Sequence, residues 1–335
     1  MASEELIEFI DEGLAMANNN FCTGQSNKAM KLLSLVRNLD AENINFKNMM
    51  QKICCLSGDQ TPQDMKYFFG EDWNGQDLTD KSIEIFCDQG MGDTINLLRY
   101  VKKLKEKYNC KIVLNYYAFF NQFEKIMLNQ KYIDKFTPFH VKCDYHTNIM
   151  SIPAFLNNFK LDTYYPVDFK SIIKKEIPDQ ISFGDFLHID LEGRYKIGIV
   201  WQTNLDNPLS KIKSIPVMLF SFLCLPNVEF YCLQPDVEVP EWIKKLPIND
   251  LYDTASYIKN MDCVISVDTA VLHLSGVLEK KTFGIIPFDA DSRWGKDNST
   301  IWYHSVELFR QPESREWSTV INSVRNRLVE FLKDL

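Results

Sequence analysis

The chain has 335 residues, 45% of them hydrophobic and 24% charged, with a formal net charge of −8. That length allows two domains, the composition is that of a folded globular chain, and the acidic balance argues against nucleic acid as a main partner. No apolar run reaches the ~18 residues of a membrane span, the acidic start (Glu4, Glu5, Glu8) is unlike a signal peptide, and nine cysteines without a C-x-x-C fit reduced thiols in the cytoplasm.

Residues 1–60 read as helices, with apolar stripes at Leu6, Ile10 and Leu14, then Ala29, Leu32, Leu33 and Val36, then Phe46, Met49, Met50 and Ile53. Their spacing fits a short tetratricopeptide-like extension, which cannot bury its own apolar face alone and offers a surface for protein contact. A polar, glycine-bearing connector follows. From Ser82 the pattern becomes strand–helix alternation. Ile83–Cys87 reads as a strand, Asp88–Asp93 as a turn, and the next segment as a helix with Ile95, Leu98, Val101 and Leu104 inward. The basic run Arg99, Lys102, Lys103, Lys105, Lys107 and Lys111 reads as that helix's solvated face and exit. Lys111–Tyr116 predicts a strand and Phe119–Leu128 a helix.

A second alternating block begins at Lys196. It predicts strands at Ile197–Trp201, Val228–Leu233, Cys263–Val267 and Thr282–Ile286. Helices are predicted at Val217–Cys224, Thr254–Asn260 and Ala270–Glu279, and a last helix carries Trp317, Val320, Ile321, Val324 and Leu328 inward. Two such blocks, 80–180 and 190–335, imply an α/β chain with two parallel sheets and a cleft between them.

Two turns invite chemistry. In Gln89-Gly90-Met91-Gly92-Asp93-Thr94 the glycines permit close backbone approach and Asp93 starts a helix at a sheet's carboxyl edge. The third glycine of a dinucleotide fingerprint is missing, which argues against a nicotinamide-linked enzyme. In Ser266-Val267-Asp268-Thr269-Ala270 a buried strand runs straight into a helix. Asp268 or Thr269 would cap it, and its first turn offers N–H groups and a positive dipole end to phosphate. His273 lies one turn on. Asp289-Ala290-Asp291 has the form of a metal-binding Asp-x-Asp, but its place directly after a strand and before Ser292-Arg293-Trp294 argues against that reading. Trp294, Trp302 and Tyr303 are open to two readings, stacking on a ligand or packing.

Several segments together resemble the tetratricopeptide-repeat glycosyltransferases related to the heptosyltransferases of glycosyltransferase family 9. They are Gln89–Thr94, Asp144-Tyr145-His146, Ser151-Ile152-Pro153, Gly198–Trp201, Ser214-Ile215-Pro216, Ser266–Ala270 with His273-Leu274, Arg293-Trp294, Trp302-Tyr303 and Leu308–Gln311. The resemblance implies a GT-B architecture: an acceptor domain, then a nucleotide-sugar domain, two Rossmann-like units facing a cleft. It implies inverting, metal-independent transfer from a nucleotide-diphosphate sugar to a protein or glycan, with no further cofactor. Asp93 matches the family's general base, and His146 is the alternative base. Gln89, Gly90, Gly92 and Thr94 would form the acceptor-side loop. Lys211, Lys213, Asp268, Thr269, Ala270, His273 and Gln234 would hold the donor and its phosphates. Two departures stand out: relatives commonly carry arginine at Lys213, and a small residue with glycine in place of Gln202-Thr203. The alternative is an inert relative that keeps the fold as a scaffold.

Overall fold

The computed structural model describes residues 12–17, 70–87, 90–116, 119–128, 130–156, 195–204, 210–314 and 316–335. Most of the predicted N-terminal extension, Asp88-Gln89 and residues 157–194 lie outside them; residues 12–17 are helical. No helix among the described residues is long and apolar enough to cross a membrane.

The chain divides into two compact units that interleave in sequence. One comprises Met1–Gln89, Tyr100–Phe120 and Lys131–Phe159; the other Gly90–Arg99, Asn121–Gln130 and Lys160–Leu335.

The first unit is built on a parallel sheet of β1 (Glu71–Asp72), β2 (Ser82–Phe86), β3 (Lys111–Asn115), β4 (Lys135–Thr137) and β5 (Tyr145–Asn148), ordered β1-β5-β2-β3-β4. Helix α1 (Met91–Tyr108) follows β2, and Ile95, Leu98, Val101 and Leu104 are buried on it as their spacing predicts. The basic face of α1 departs from expectation. Arg99 is buried, donating to Asn96 O at 2.7 Å and to Trp302 O at 3.1 Å. Lys105 ties the helix end to Cys110 O and Asp134, each at 2.8 Å. Mid-strand Glu84 is wholly buried. Its carboxylate accepts from the Asn115 amide at 2.8 Å, from Val141 N at 3.0 Å and from His140. A buried charge is tolerated only when its lone pairs are filled in this way.

Helix α2 (Phe120–Met127) lies largely in the second unit, where Lys125 pairs with Asp250 at 2.6 Å. After the single-turn α3 (Ile152–Phe155), the second sheet comprises β6 (Tyr195–Val200), β7 (Val228–Cys232), β8 (Ile243–Lys245), β9 (Cys263–Val267), β10 (Thr282–Ile286) and β11 (Val306–Arg310). It is parallel throughout, ordered β11-β10-β9-β6-β7-β8. Read from β8, chain order becomes 3-2-1-4-5-6, the doubly wound arrangement whose order reverses between β6 and β9. Its helices are α4 (Ser210–Lys213), α5 (Leu251–Asn260), α6 (Ala270–Val277) and α7 (Ser318–Lys333). Val320, Ile321, Val324 and Leu328 of α7 are buried as predicted. Val217–Leu223 forms 3-10 turns rather than the predicted α-helix: Pro216 and Pro226 bracket a segment too short to propagate. α5 begins earlier than its apolar pattern suggests because Asp250 caps it, accepting from Asp253 N at 2.8 Å.

Candidate functional site

The switch point of the second sheet gathers the expected phosphate-binding residues. All five residues of β9 are buried, and the chain passes from Val267 through Asp268 and Thr269 into α6. Thr269 occupies the N-cap position with extended backbone, but its side chain makes no capping bond; its hydroxyl lies 3.2 Å from Ser266 Oγ. Asp268 does not cap the helix either. Its carboxylate is buried against Lys213 Nζ at 2.6 Å. The expected side-chain cap is therefore absent, which leaves the N–H groups of Ala270 and Val271 ahead of the first helical bond, from Leu272 N to Thr269 O at 3.1 Å. Of the two candidate lysines, Lys213 faces this turn and Lys211 is exposed.

The Gly90–Arg99 segment belongs to the same compact unit, so the first turn of α1 meets this region directly. Gly90 precedes the helix, and Thr94 N bonds to Gly90 O at 3.1 Å. Asp93 is therefore inside the first turn rather than at the cap. Neither Gly90 nor Gly92 has a positive φ. Gly92 is needed for proximity: a Cβ there would lie 2.7 Å from His273 Cδ2 and 3.5 Å from Ala270 Cα. The glycine admits a neighbouring side chain, where the sequence suggested a ligand. Thr94 is buried, and its hydroxyl has no hydrogen-bond partner among the described residues.

His273 is a buried wall of this site. Its Nδ1 lies 2.7 Å from Tyr303 Oη, and its ring stacks on Trp294 at 5.0 Å between centroids. Burial, reinforced by the Arg293 guanidinium, pushes the imidazole down to about 3, so it is neutral at physiological pH. Tyr303 and Trp294 are each about 1% exposed and serve as packing rather than as stacking platforms. Tyr303 packs against Gly276, where a Cβ would overlap its ring. Arg99 lies over the Tyr303 and Trp302 rings at 5.1 and 5.4 Å.

Arg293 is the residue that sequence reasoning did not single out. It stands in a 3-10 turn, Ser292–Trp294, capped by Asp291. Its guanidinium pairs with Asp93 and, at 3.0 Å, with Asp291. Both Asp291 oxygens accept from Arg293, the first from its backbone N–H at 3.0 Å. These bonds hold Asp291 below the usual carboxylate range. Its segment, Arg293-Trp294, was among those that carry the resemblance, but the neighbouring Asp-x-Asp drew attention to a metal rather than to the guanidinium.

Gln234 is a strut. Its Oε1 accepts from Trp201 N at 2.8 Å and from Gln202 N at 3.4 Å, while its Nε2 donates to Gln202 O at 3.0 Å. The amide thus fixes the loop after β6, where the sequence departs from its relatives. His146 lies in the first unit, mid-strand in β5 and opposite Glu84 in register. It is buried, with Nε2 3.0 Å from Asp72 Oδ1, and burial lowers its basicity. Gln89 lies outside the described residues. The structure thus brings together Gly92, Asp93, Lys213, Asp268, Thr269, Ala270 and His273.

No protein-family model matches the chain, and no curated protein matches it by sequence. Solved structures match by shape. ADP-heptose lipopolysaccharide heptosyltransferase II of E. coli aligns over 76% of this chain and 99% of its own, at 10% identity and a TM-score of 0.48. The glycosyl transferase family 9 protein of Veillonella parvula aligns over 78% and 100%, at 10% identity and 0.47. TibC, an iron-containing dodecameric glycosyltransferase of enterotoxigenic E. coli H10407, aligns over 78% and 81%, at 12% identity and 0.43. Likeness of this depth assigns no activity; what the site can do follows from its own charges. Lys213 and Arg293 face Asp93, Asp268 and Asp291 beside the open first turn of α6, an arrangement able to hold an anion next to a carboxylate.

Proposed function

We propose that this chain is a glycosyltransferase of the GT-B kind that moves a sugar from a nucleoside-diphosphate sugar to a protein or glycan acceptor, with inversion and without a metal. The observation that carries the reading is that Asp93, paired with Arg293 and next to the Gly92 that meets α6, shares one compact unit with Lys213 and the first turn of α6. The diphosphate sits on Lys213 and the N–H groups of Ala270 and Val271, with Thr269 at its edge; these fixed charges take the place of a metal. Asp93 accepts the proton of the acceptor hydroxyl as its oxygen bonds to the anomeric carbon. The bond from that carbon to the diphosphate oxygen breaks, and its electron pair leaves with the diphosphate. Asp268 orients Lys213, and His273, neutral and buried, shapes the floor. His146, mid-strand beside Glu84, is the weaker choice of base.

Asp93→Asn tests the assignment. Transfer, or donor hydrolysis where no acceptor is known, is expected to fall by about 10²–10⁴-fold, while a nucleoside diphosphate still binds. Turnover at the wild-type rate would refute Asp93 as base. Failure of the wild-type chain to bind ADP, UDP or GDP would favour the inert-scaffold alternative.

A further inference from the structure

Arg293 is fixed at its backbone, and its guanidinium is held by two carboxylates. Its carbonyl accepts from Trp302 Nε1 at 2.8 Å, and its N–H donates to Asp291 Oδ1 at 3.0 Å. The side chain beyond is 24% exposed, and the Asp93 side chain it meets is 21% exposed. Its two carboxylate partners are not equivalent. Asp291 is two residues away in the same turn and travels with the arginine. Asp93 comes from α1, 200 residues distant in sequence, so this contact opens without unwinding the turn. Lys213 is likewise covered by Asp268. Both cations at this end of α6 thus face a carboxylate.

We propose that Arg293 is a positioning residue that exchanges Asp93 for the diphosphate of an arriving ligand and so frees Asp93 to act as a base. This rests on reading the site as a diphosphate-sugar site. A guanidinium paired with a carboxylate occupies the oxygen that must take the proton. A diphosphate offers the same planar fork more negative charge and two or more oxygens, so it competes well for Arg293. The carboxylate is then left unpaired only when donor is in place, which ties base availability to donor binding. Arg293 becomes a clamp on the leaving group in the same step.

A double-mutant cycle decides the matter. The affinities of inorganic pyrophosphate and of ADP, UDP and GDP are measured calorimetrically in EDTA for the wild type, Asp93→Asn, Arg293→Gln and the double variant. Arg293→Met replaces Arg293→Gln if the latter fails to fold. Asp93→Asn is expected to tighten binding by about fivefold or more, because the competitor for Arg293 is gone. With Arg293 replaced, the same change is expected to move affinity by less than about twofold, since no guanidinium is left to release. Equal tightening in both backgrounds, the mark of a general field effect, would overturn the exchange, as would weaker binding by Asp93→Asn. If ligands bind and Lys213→Ala weakens them while the cycle is additive, the exchange alone is wrong. If none of the ligands binds any form, the diphosphate site itself is wrong and the exchange falls with it.

Discussion

Gly92 decides how closely the first turn of α1 approaches α6. A methyl group there would press on the His273 ring, which cannot retreat because it stacks on Trp294 and bonds to Tyr303. Gly92→Ala is therefore expected to cost about 1–3 kcal/mol, read as a lower denaturation midpoint, whereas an unchanged midpoint would mean that the two segments are looser than described. His273 makes a second claim at this scale. Its folded basicity, about 3, lies far below the ordinary 6.5. The unfolded chain then binds a proton as pH falls below ~6.5 while the folded chain does not. Stability present above that pH is lost on the way down to about 3, by up to ~1.4 kcal/mol per pH unit from this group. His273→Asn is expected to remove that share of the slope between pH 6 and 4. An identical slope in the variant would show that the imidazole is not held neutral. Neither consequence could be read from the sequence, which shows Gly92 and His273 181 positions apart and gives no sign that they touch.

Elements with one strong period were legible, and short or polar ones were not. β9 is apolar but for Ser266, and the inward faces of α1 and α7 follow a 3.6-residue spacing, so both kinds of element stood out. β4 and β8 have three residues each, too few for a pattern. β11 alternates, but its charged positions hide the strand: Glu307 takes Lys281 at 2.9 Å and Arg327 at 3.1 Å. In β2 the flanking isoleucines revealed the strand but gave no reason for Glu84. That reason is tertiary: Asn115, Val141 and His140 arrive from β3 and the loop after β4 to fill its oxygens. Glu84→Ala would strand these donors in the interior and is expected to destabilise the first sheet by about 3–5 kcal/mol. A loss under about 1 kcal/mol, measured by denaturant titration, would indicate that water reaches the cluster.

For the whole molecule, the alternation of strands and helices was enough to foresee two parallel α/β sheets. It could not foresee that the two compact units share out α1 between them, because that depends on which side chains its first turn meets. This sharing places Asp93 in the unit that holds Lys213 and α6, and the proposed chemistry follows from it. The role of Arg293 was hidden for the same reason: its partner Asp93 is 200 residues away. The most direct test of the site is a calorimetric titration of the wild type and Lys213→Ala with ADP, UDP and GDP in EDTA. At least one nucleotide is expected to bind without metal, and Lys213→Ala to weaken it by about tenfold or more, the loss of one charge-assisted contact. No binding, or equal binding by the two proteins, would contradict a diphosphate seated between Lys213 and the first turn of α6.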